Sequence, residues 1–457
     1  MSTSLTQNPL QHAKNVYFIG IGGIGMSALV RYFLHKGVNV FGYDKTPSEL
    51  TSALEKEGAV ISFQDEVEAL PVLDLDIVVY TPAIPSTSNL LQHFKAHHPY
   101  LVKRSDVLQW ITQTYKAICI AGTHGKTTVS SMVAHVLHHS GFGCTAFLGG
   151  IMSNYQTNFI AGTNDWCVIE ADEYDRSFLK LSPTISVVNS VDADHLDIYK
   201  TAEAVVEAFG LFVNKTATNG AVYLQQKVVP FVQTSILVKS FSCQDATADV
   251  FAKDIRIENG CYVFTAVCGN IVVPNIHLQM GGLHNVENAL VAVAIAVQLG
   301  ISSQAIQDAV ASFQGVKRRF QYHLNTHQQV LIDDYAHHPT ELQALITGVK
   351  AMFPNDTISL VFQPHLFSRT SDLVNEFAEV LAAVDQLFLL PIYPARELPV
   401  PGVTSEWLAS KIKAEKVTVL STDTWVDEVV QHTSRVLVLA GAGDIDTYIP
   451  SLVNKLA

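Results

Sequence analysis

A chain of 457 residues has room for about three domains at roughly 150 residues each. With 48% hydrophobic and 16% charged residues, it carries enough apolar material for several cores, which excludes an acidic, aromatic-poor disordered chain. A net charge of −13, from 29 basic and 42 acidic residues, argues against a broad electrostatic grip on nucleic acid or an anionic membrane, so a phosphate-rich ligand must be held by local donors.

The longest purely apolar run, Ala289–Val297, falls far short of the roughly 20 residues that a membrane helix needs. Residues 1–14 lack the apolar stretch of a signal peptide. The cysteines Cys119, Cys144, Cys167, Cys243, Cys261 and Cys268 form no C-x-x-C pair, and several sit inside strand-like runs, where they are expected to be small buried hydrophobes. These features predict a reduced, cytoplasmic protein without membrane insertion; a monomer or weak homodimer is expected.

Strand-like runs alternate with helical patterns along the chain, which predicts α/β architecture with mostly parallel sheets. Three blocks are expected, at residues 1–113, 114–316 and 317–457. The first opens with a strand at Asn15–Ile21, a helical stretch to His35 and a strand at Val38–Asp44. Between the first strand and the helix stands Gly20-Ile21-Gly22-Gly23-Ile24-Gly25, a G-x-G-x-x-G loop, with Asp44 19 residues after Gly25. That is the context in which a helix N-terminus receives a pyrophosphate. NAD, with Asp44 on its ribose, is the obvious ligand. Any diphosphate nucleotide suits the loop, and a tight turn without ligand explains it as well.

The second block begins with the strand Lys116–Gly122 and continues into Ala121-Gly122-Thr123-His124-Gly125-Lys126-Thr127-Thr128 before a helix. Backbone N–H groups in such a loop cradle phosphate, Lys126 reaches the β/γ-phosphates and the Thr127 hydroxyl is a ligand for Mg²⁺. The spacing is shorter than the common phosphate-loop pattern, with two residues between Gly122 and Gly125. A second nucleotide loop has no use in a dehydrogenase and points to an ATP-driven enzyme. Glu170, Asp172, Glu173 and Asp175 follow one apolar strand, and Asn189, Asp192, Asp194, His195 and Asp197 end another. Carboxylates gathered at such a sheet edge repel one another unless a cation such as Mg²⁺ lies among them. Helix capping and solvated turn charge are the alternative for Asp192 and Asp197. Alternating β-like segments then run from Ala221 to His277, before helical patterns at Asn285–Leu299 and Ser303–Phe313. The third block holds strand runs QVLIDD, ISLVFQ, QLFLLPI, VTVL and RVLVLAGAG.

The segments GIGGIGMSAL, AGTHGKTT, EADEYDRSFL, NSVDADHLDIY, GLHNVENAL, GVKRRF, DDYAHHPTE, FQPHLFSRT and LAGAGDI occur in this order from about Ile19 to Ile445. Together they resemble the Mur ligase family. The resemblance implies a Rossmann-like N-terminal domain, a central P-loop ATPase domain with a parallel sheet plus a smaller antiparallel sheet, and a Rossmann-like C-terminal domain. It implies ATP and Mg²⁺, with UDP-N-acetylmuramate and L-alanine as the substrates to be joined. Gly20, Ile21, Gly22, Gly23, Ile24, Gly25, Asp44, Thr81 and His124 would then meet the UDP-sugar. Gly122, Thr123, His124, Gly125, Lys126, Thr127 and Thr128 would hold the ATP phosphates, with Thr127, Glu170 and His195 at the metals. His284, Asn285 and Asn288 resemble the adenine-side contacts, although Asn285 also suits a helix N-cap. Arg319 resembles the arginine that reaches the γ-phosphate, with Arg318 beside it. Asp333 or Asp334 would meet the ATP ribose, and His337 and Arg369 the amino acid and acyl intermediate.

Two departures stand out. Leu366 replaces an arginine that some family members carry after Pro-His, which leaves the amino-acid carboxylate to Arg369 or Arg396. A carbamylated lysine, used by some relatives, has no assigned position; Lys200 and Lys215 are the nearby lysines. The chemistry fits the residues: phosphorylation turns an unreactive carboxylate into an acyl phosphate, and Lys126, Arg319 and Mg²⁺ neutralise charge on the transferring group. His195 or His337 would take the proton of the attacking amine. Other readings are a ligase for a pre-formed peptide, an NAD-dependent dehydrogenase and a nucleotide sensor without turnover. The GIGGIGMS loop favours the amino-acid ligase over the peptide ligase.

Overall fold

The computed structural model describes residues 9–192, 196–258, 260–395, 397–413, 416–421 and 424–457. The first five strands are β1 (Asn15–Ile19), β2 (Asn39–Tyr43), β3 (Val60–Ser62), β4 (Ile77–Tyr80) and β5 (Leu101–Lys103). They form one sheet in the order β3-β2-β1-β4-β5, with every pairing parallel. The apolar run of β1 suits a strand covered on both faces, as parallel sheets require. The strand order reverses between β1 and β4. The crevice beyond their C-terminal ends is therefore the place for a ligand.

The next strands are β6 (Lys116–Ala121), β7 (Thr145–Met152), β8 (Thr157–Ile160), β9 (Trp166–Glu170), β10 (Pro183–Val188), β11 (Ala221–Gln225), β12 (Val238–Ser242), β13 (Val250–Glu258), β14 (Cys261–Cys268) and β15 (Ile271–Leu278). Their order runs β8-β7-β9-β6-β10-β11-β12-β13, and β13, β14 and β15 are successive neighbours. Parallel pairing sets Ile120 of β6 opposite Glu170 of β9, and Ala121 opposite Val188 of β10. The residues that follow these three strands therefore share one sheet edge. The alternating segments predicted between Ala221 and His277 are β11–β15.

Contacts divide the chain into two compact units, one of residues 1–253, 266–274 and 288–310, the other of residues 254–265, 275–287 and 311–457. The first unit thus takes in the whole first sheet together with β6–β12. The reason is a seam along the helix Ile24–His35. Tyr32 of this helix packs on Phe147 of β7 and Phe159 of β8, with ring centroids 5.4 and 6.3 Å away. Beside them Arg31, buried, makes a fork to Glu57 and donates from Nη1 to Asn158 Oδ1 at 2.5 Å. Asn158, 0% exposed, donates in turn to the Ile24 carbonyl at 2.6 Å. Asn158→Ala leaves the Arg31 guanidinium and the Ile24 carbonyl short of partners in a dry place. A loss of about 3 kcal/mol is expected from urea unfolding. A loss under about 0.5 kcal/mol, the size of an ordinary surface change, would show that the network does not hold the seam.

In the second unit, β16 (Gln321–Asn325), β17 (Val330–Asp334), β18 (Ile358–Phe362), β19 (Gln386–Leu389), β20 (Val417–Val419) and β21 (Val436–Ala440) form a sheet in the order β16-β17-β21-β18-β19-β20. Only β16 runs antiparallel to its neighbour. Asp334 and Phe362 both lie opposite Ala440, so β17, β21 and β18 end together. The helix Pro339–Met352 starts above that edge, with Pro339 in its first turn and Glu341 accepting from the backbone N–H of His338 at 3.2 Å. Cys119, Cys144, Cys167 and Cys243 are buried, and Cys261 and Cys268 partly so. Among the described residues, no helix is long and apolar enough to cross a membrane.

Candidate active site

The glycine loop leaves β1 and turns into the helix Ile24–His35 in the first unit. Gly20 takes φ +85° and donates its N–H to the Tyr43 carbonyl at 2.7 Å. Asp44 accepts the Gly22 N–H at 2.7 Å and so braces the loop from inside. A β-carbon on Gly22 would come within 2.9 Å of that carboxylate and 2.7 Å of Thr51 Cγ2, which is why glycine stands there. Ile21 is buried, so it offers a ligand only its backbone. In front of the helix N-terminus lies a cavity of about 310 Å³ lined by Gly23, Gly25, Thr81, Lys103, Arg104 and Glu170, among others. That is at the lower end of the range for small-molecule sites. Lys103 pairs with Asp175 at 2.6 Å and Arg104 with Asp172 at 3.5 Å. The bond to Asp175 raises the pKa of Lys103. This basic pair escaped the sequence reading because it straddles the end of a three-residue strand with no motif around it.

The second loop leaves β6 and opens the helix Lys126–His139. Gly122 and Gly125 take φ of +132° and +82°. A β-carbon on Gly122 would sit 3.0 Å from the backbone nitrogens of Asn189 and Ser190, so the loop must be bare to pass β10's end. Ser190 Oγ accepts the His124 N–H at 2.8 Å, and the Thr123 hydroxyl accepts the Asp192 N–H at 3.1 Å. The buried side-chain amide of Asn189 has no hydrogen-bond partner among the described residues. A β-carbon on Gly125 would lie 2.9 Å from its Nδ2 and 3.1 Å from Asn288 Oδ1. Unsatisfied buried polar atoms beside a phosphate-type loop fit a polar ligand there.

Lys126 Nζ donates to the Gly122 carbonyl at 2.8 Å and to Glu173 Oε1 at 2.8 Å. Glu173 is 1% exposed and Lys126 15%. Burial raises the Glu173 pKa, opposed by the ammonium beside it. Tyr199 donates its hydroxyl to the Glu173 carbonyl at 2.6 Å. Glu170 instead accepts the Gly149 N–H at 3.0 Å and faces the cavity. The segment EADE, which leaves the end of β9, thus sends its two glutamates to different places, which its sequence does not reveal. Thr127 is half-buried in the helix's first turn and Thr128 is buried. His195 lies outside the described residues, as do Asp194 and Arg396.

In the second unit the helix Leu283–Gln298 begins at Leu283, so Asn285 stands inside its first turn and is not the N-cap. Its side chain donates back to the Gly281 carbonyl at 2.7 Å. Burial pushes the His284 pKa down to about 4. Asp333, 0% exposed, faces Arg318 and His323 at 3.9 Å each. Asp334 accepts the backbone N–H groups of Phe320 at 2.7 Å and Ala336 at 2.8 Å, and burial pushes its pKa up to about 6. The Arg319 guanidinium lies over the Tyr335 ring at 5.6 Å and makes no hydrogen bond or ion pair among the described residues. Arg318, by contrast, donates from Nη2 to the Gly441 carbonyl at 2.5 Å and from Nη1 to the Gly443 carbonyl at 3.0 Å, while its buried Nε has no hydrogen-bond partner among the described residues.

His337 follows β17. Its Nδ1 lies 2.7 Å from the Tyr335 carbonyl, which only accepts, so Nδ1 carries the proton and Nε2 the lone pair. Burial lowers its pKa, with Glu341 opposing. Its ring meets His365 edge-on at 5.7 Å, and His365 stacks on Tyr393 at 5.8 Å. Arg369 Nη1 lies 3.4 Å from His365 Nδ1. Burial, with His337 and Arg369 nearby, pushes the His365 pKa down to about 4. Two neutral imidazoles and one guanidinium therefore share this corner. His365 and Tyr393 were not singled out in the sequence, although His365 sits in the FQPH segment.

A parallel-sheet unit with two nucleotide-type loops, and a second unit carrying an arginine and a histidine cluster at one sheet edge, define an ATP-using ligase of the three-part kind. Mur ligase family models match residues 15–116 (Mur ligase family, catalytic domain), 120–296 (Mur ligase middle domain) and 318–445 (Mur ligase, glutamate ligase domain). The chain belongs to the Mur ligase family. It is 45% identical to the UDP-N-acetylmuramate–L-alanine ligase of Cytophaga hutchinsonii over 96% of each chain. It is 45% identical to that of Parabacteroides distasonis over 95% of each. Among solved structures it resembles the UDP-N-acetylmuramate-alanine ligase of Thermotoga maritima, with a TM-score of 0.82 and 26% identity over 97% of this chain and 99% of that one. A murein peptide ligase of Psychrobacter arcticus shares the fold, with a TM-score of 0.67 and 23% identity over 97% and 98% of the two chains.

Proposed function

We infer that the protein is an ATP-dependent ligase that joins L-alanine to the lactyl carboxylate of UDP-N-acetylmuramate, releasing ADP and phosphate. The reading is carried by the Lys126 loop and the glycine-loop cavity, which share one compact unit in a chain 45% identical, nearly end to end, to ligases of that name. A dehydrogenase leaves Lys126 without a role. The division at 1–113, 114–316 and 317–457 remains our proposal, supported by one family model falling largely within each part. A cytoplasmic location belongs to the same proposal, as does the expected monomer or weak homodimer.

The γ-phosphoryl of ATP moves to a carboxylate oxygen of the lactyl group, and ADP leaves. The alanine amine then attacks the acyl carbon, phosphate departs, and the amine proton passes to a base. Lys126 serves the phosphoryl step, and the Arg319 guanidinium, which makes no hydrogen bond or ion pair among the described residues, serves it too. Mg²⁺, which neutralises phosphate oxygens, characteristically takes one or two carboxylates with the phosphates themselves. Thr127 and Glu170, the last residue of β9, fit that need. We assign Arg369 to the amino-acid carboxylate and His337 Nε2, neutral and unprotonated, to the proton.

Purified protein given ATP, Mg²⁺ and UDP-N-acetylmuramate should release phosphate only when L-alanine is added, with a product heavier by one alanyl residue. Turnover with a pre-formed peptide and none with alanine would replace this reading by the peptide ligase. The His337 assignment has its own check. Its lowered pKa keeps it neutral at pH 7, so the wild-type rate should fall only as pH drops through that pKa, below 6.5. His337→Ala should lower the plateau by about 10²-fold or more and remove that acid limb. An unchanged profile would assign the base elsewhere.

A further inference from the structure

Arg318 and Arg319 are neighbours in sequence with opposite surroundings. Arg318 and Phe320 both take left-handed backbone, at φ +60° and +49°, so the turn around Arg319 is held in a conformation that side-chain-bearing residues avoid. Something must over-determine it, and the bonds are visible. The Arg319 N–H donates to the Val316 carbonyl at 3.0 Å, and the Tyr335 N–H to the Arg318 carbonyl at 2.6 Å. Phe320 is tied to Asp334 at 2.7 Å.

The Arg318 guanidinium completes the clasp. Its Nη2 donates to the Gly441 carbonyl at 2.5 Å and its Nη1 to the Gly443 carbonyl at 3.0 Å, with Asp446 at 3.1 Å from Nη1. Its plane covers the Tyr335 ring at 5.0 Å, and Arg319 lies over the same ring at 5.6 Å. A planar fork reaching two carbonyls of one turn is a task that lysine does not reproduce. The glycine turn also abuts the amino-acid corner, because a β-carbon on Gly443 would lie 2.7 Å from Tyr393 Cγ.

We propose that Arg318 is a positioning residue that locks the turn after β21 and the Tyr335 ring so that Arg319 is held ready for the γ-phosphoryl. It rests on the assignment of Arg319 made above. Electrostatic help depends on placement fixed before reaction, and a misplacement of about 1 Å costs up to about 10²-fold.

The test is a double-mutant cycle on the full chain, with Arg318→Lys, Arg319→Ala and both together. Arg318→Lys should lower kcat about 10-fold or more while leaving KM for ATP and UDP-N-acetylmuramate within about twofold. In the Arg319→Ala background the same change should cost nothing further, because there is no longer a guanidinium to place. The same loss in both backgrounds, an unchanged kcat in Arg318→Lys, or a loss confined to KM would overturn the proposal. Should Arg319→Ala itself turn over normally, the assignment of Arg319 fails, and this inference with it. If Arg318→Lys does not fold, Asp446→Asn loosens the clasp without removing it. Its smaller kcat loss should likewise vanish in the Arg319→Ala background, and persistence there would overturn the proposal.

Discussion

Lys126→Ala should reduce alanine-dependent phosphate release by about 10³-fold or more, the size of effect seen when a preorganised charge is removed from a developing anion. The reaction brings an anionic carboxylate onto an anionic phosphoryl group, and the ammonium at the mouth of the helix Lys126–His139 is the nearest fixed positive charge on the loop. The substitution also strands Glu173, which is 1% exposed and bonded to Nζ at 2.8 Å. Loss of fold and loss of chemistry must therefore be separated. Glu173 already has a raised pKa from burial, so without its partner it takes up a proton more readily still. The double variant Lys126→Ala/Glu173→Gln should recover the melting temperature and none of the turnover. Substantial turnover in either would remove the loop from the phosphoryl step.

Arg319→Ala should lower kcat by about 10³-fold, as removal of an arginine finger does in other phosphoryl transfers. The stability change should be modest, within about 1 kcal/mol by urea unfolding, because the guanidinium has no hydrogen bond or ion pair among the described residues to lose, only its place over the Tyr335 ring and its charge near the buried Asp334. A large activity loss with an intact fold marks a charge reserved for a ligand. A kcat within about tenfold of wild type would shift that duty to another cation.

Much of this was legible beforehand because periodicity and glycine carry it. The strands at Asn15–Ile19, Lys116–Ala121 and Val436–Ala440 are short apolar runs followed by glycine, and parallel sheets demand just that. The hairpin of β7 and β8 was hidden, because Gly149 and Gly150 break the alternation of TAFLGGIM. The three-residue strands β3, β5 and β20 are too short for a period to show, although VTVL was read from its β-branched residues. At the site, loop motifs gave Lys126 and the glycines, whereas partners distant in sequence did not. Glu173, 47 residues from Lys126, and Gly441, 123 residues from Arg318, are joined by topology alone. The different surroundings of Arg318 and Arg319 turn on backbone dihedral angles, which the pair Arg-Arg does not encode.

The seam between the helix Ile24–His35 and the β7–β8 hairpin also governs how the polypeptide can be divided. A recombinant fragment ending near residue 113 would carry Tyr32 without Phe147 and Phe159, and Arg31 without Asn158. Its raw face would be apolar with a half-paired cation at its centre, the kind of surface that promotes self-association. The segment up to residue 113 is thus not a portable cassette: swapping it between relatives requires that the β7–β8 hairpin travel with it.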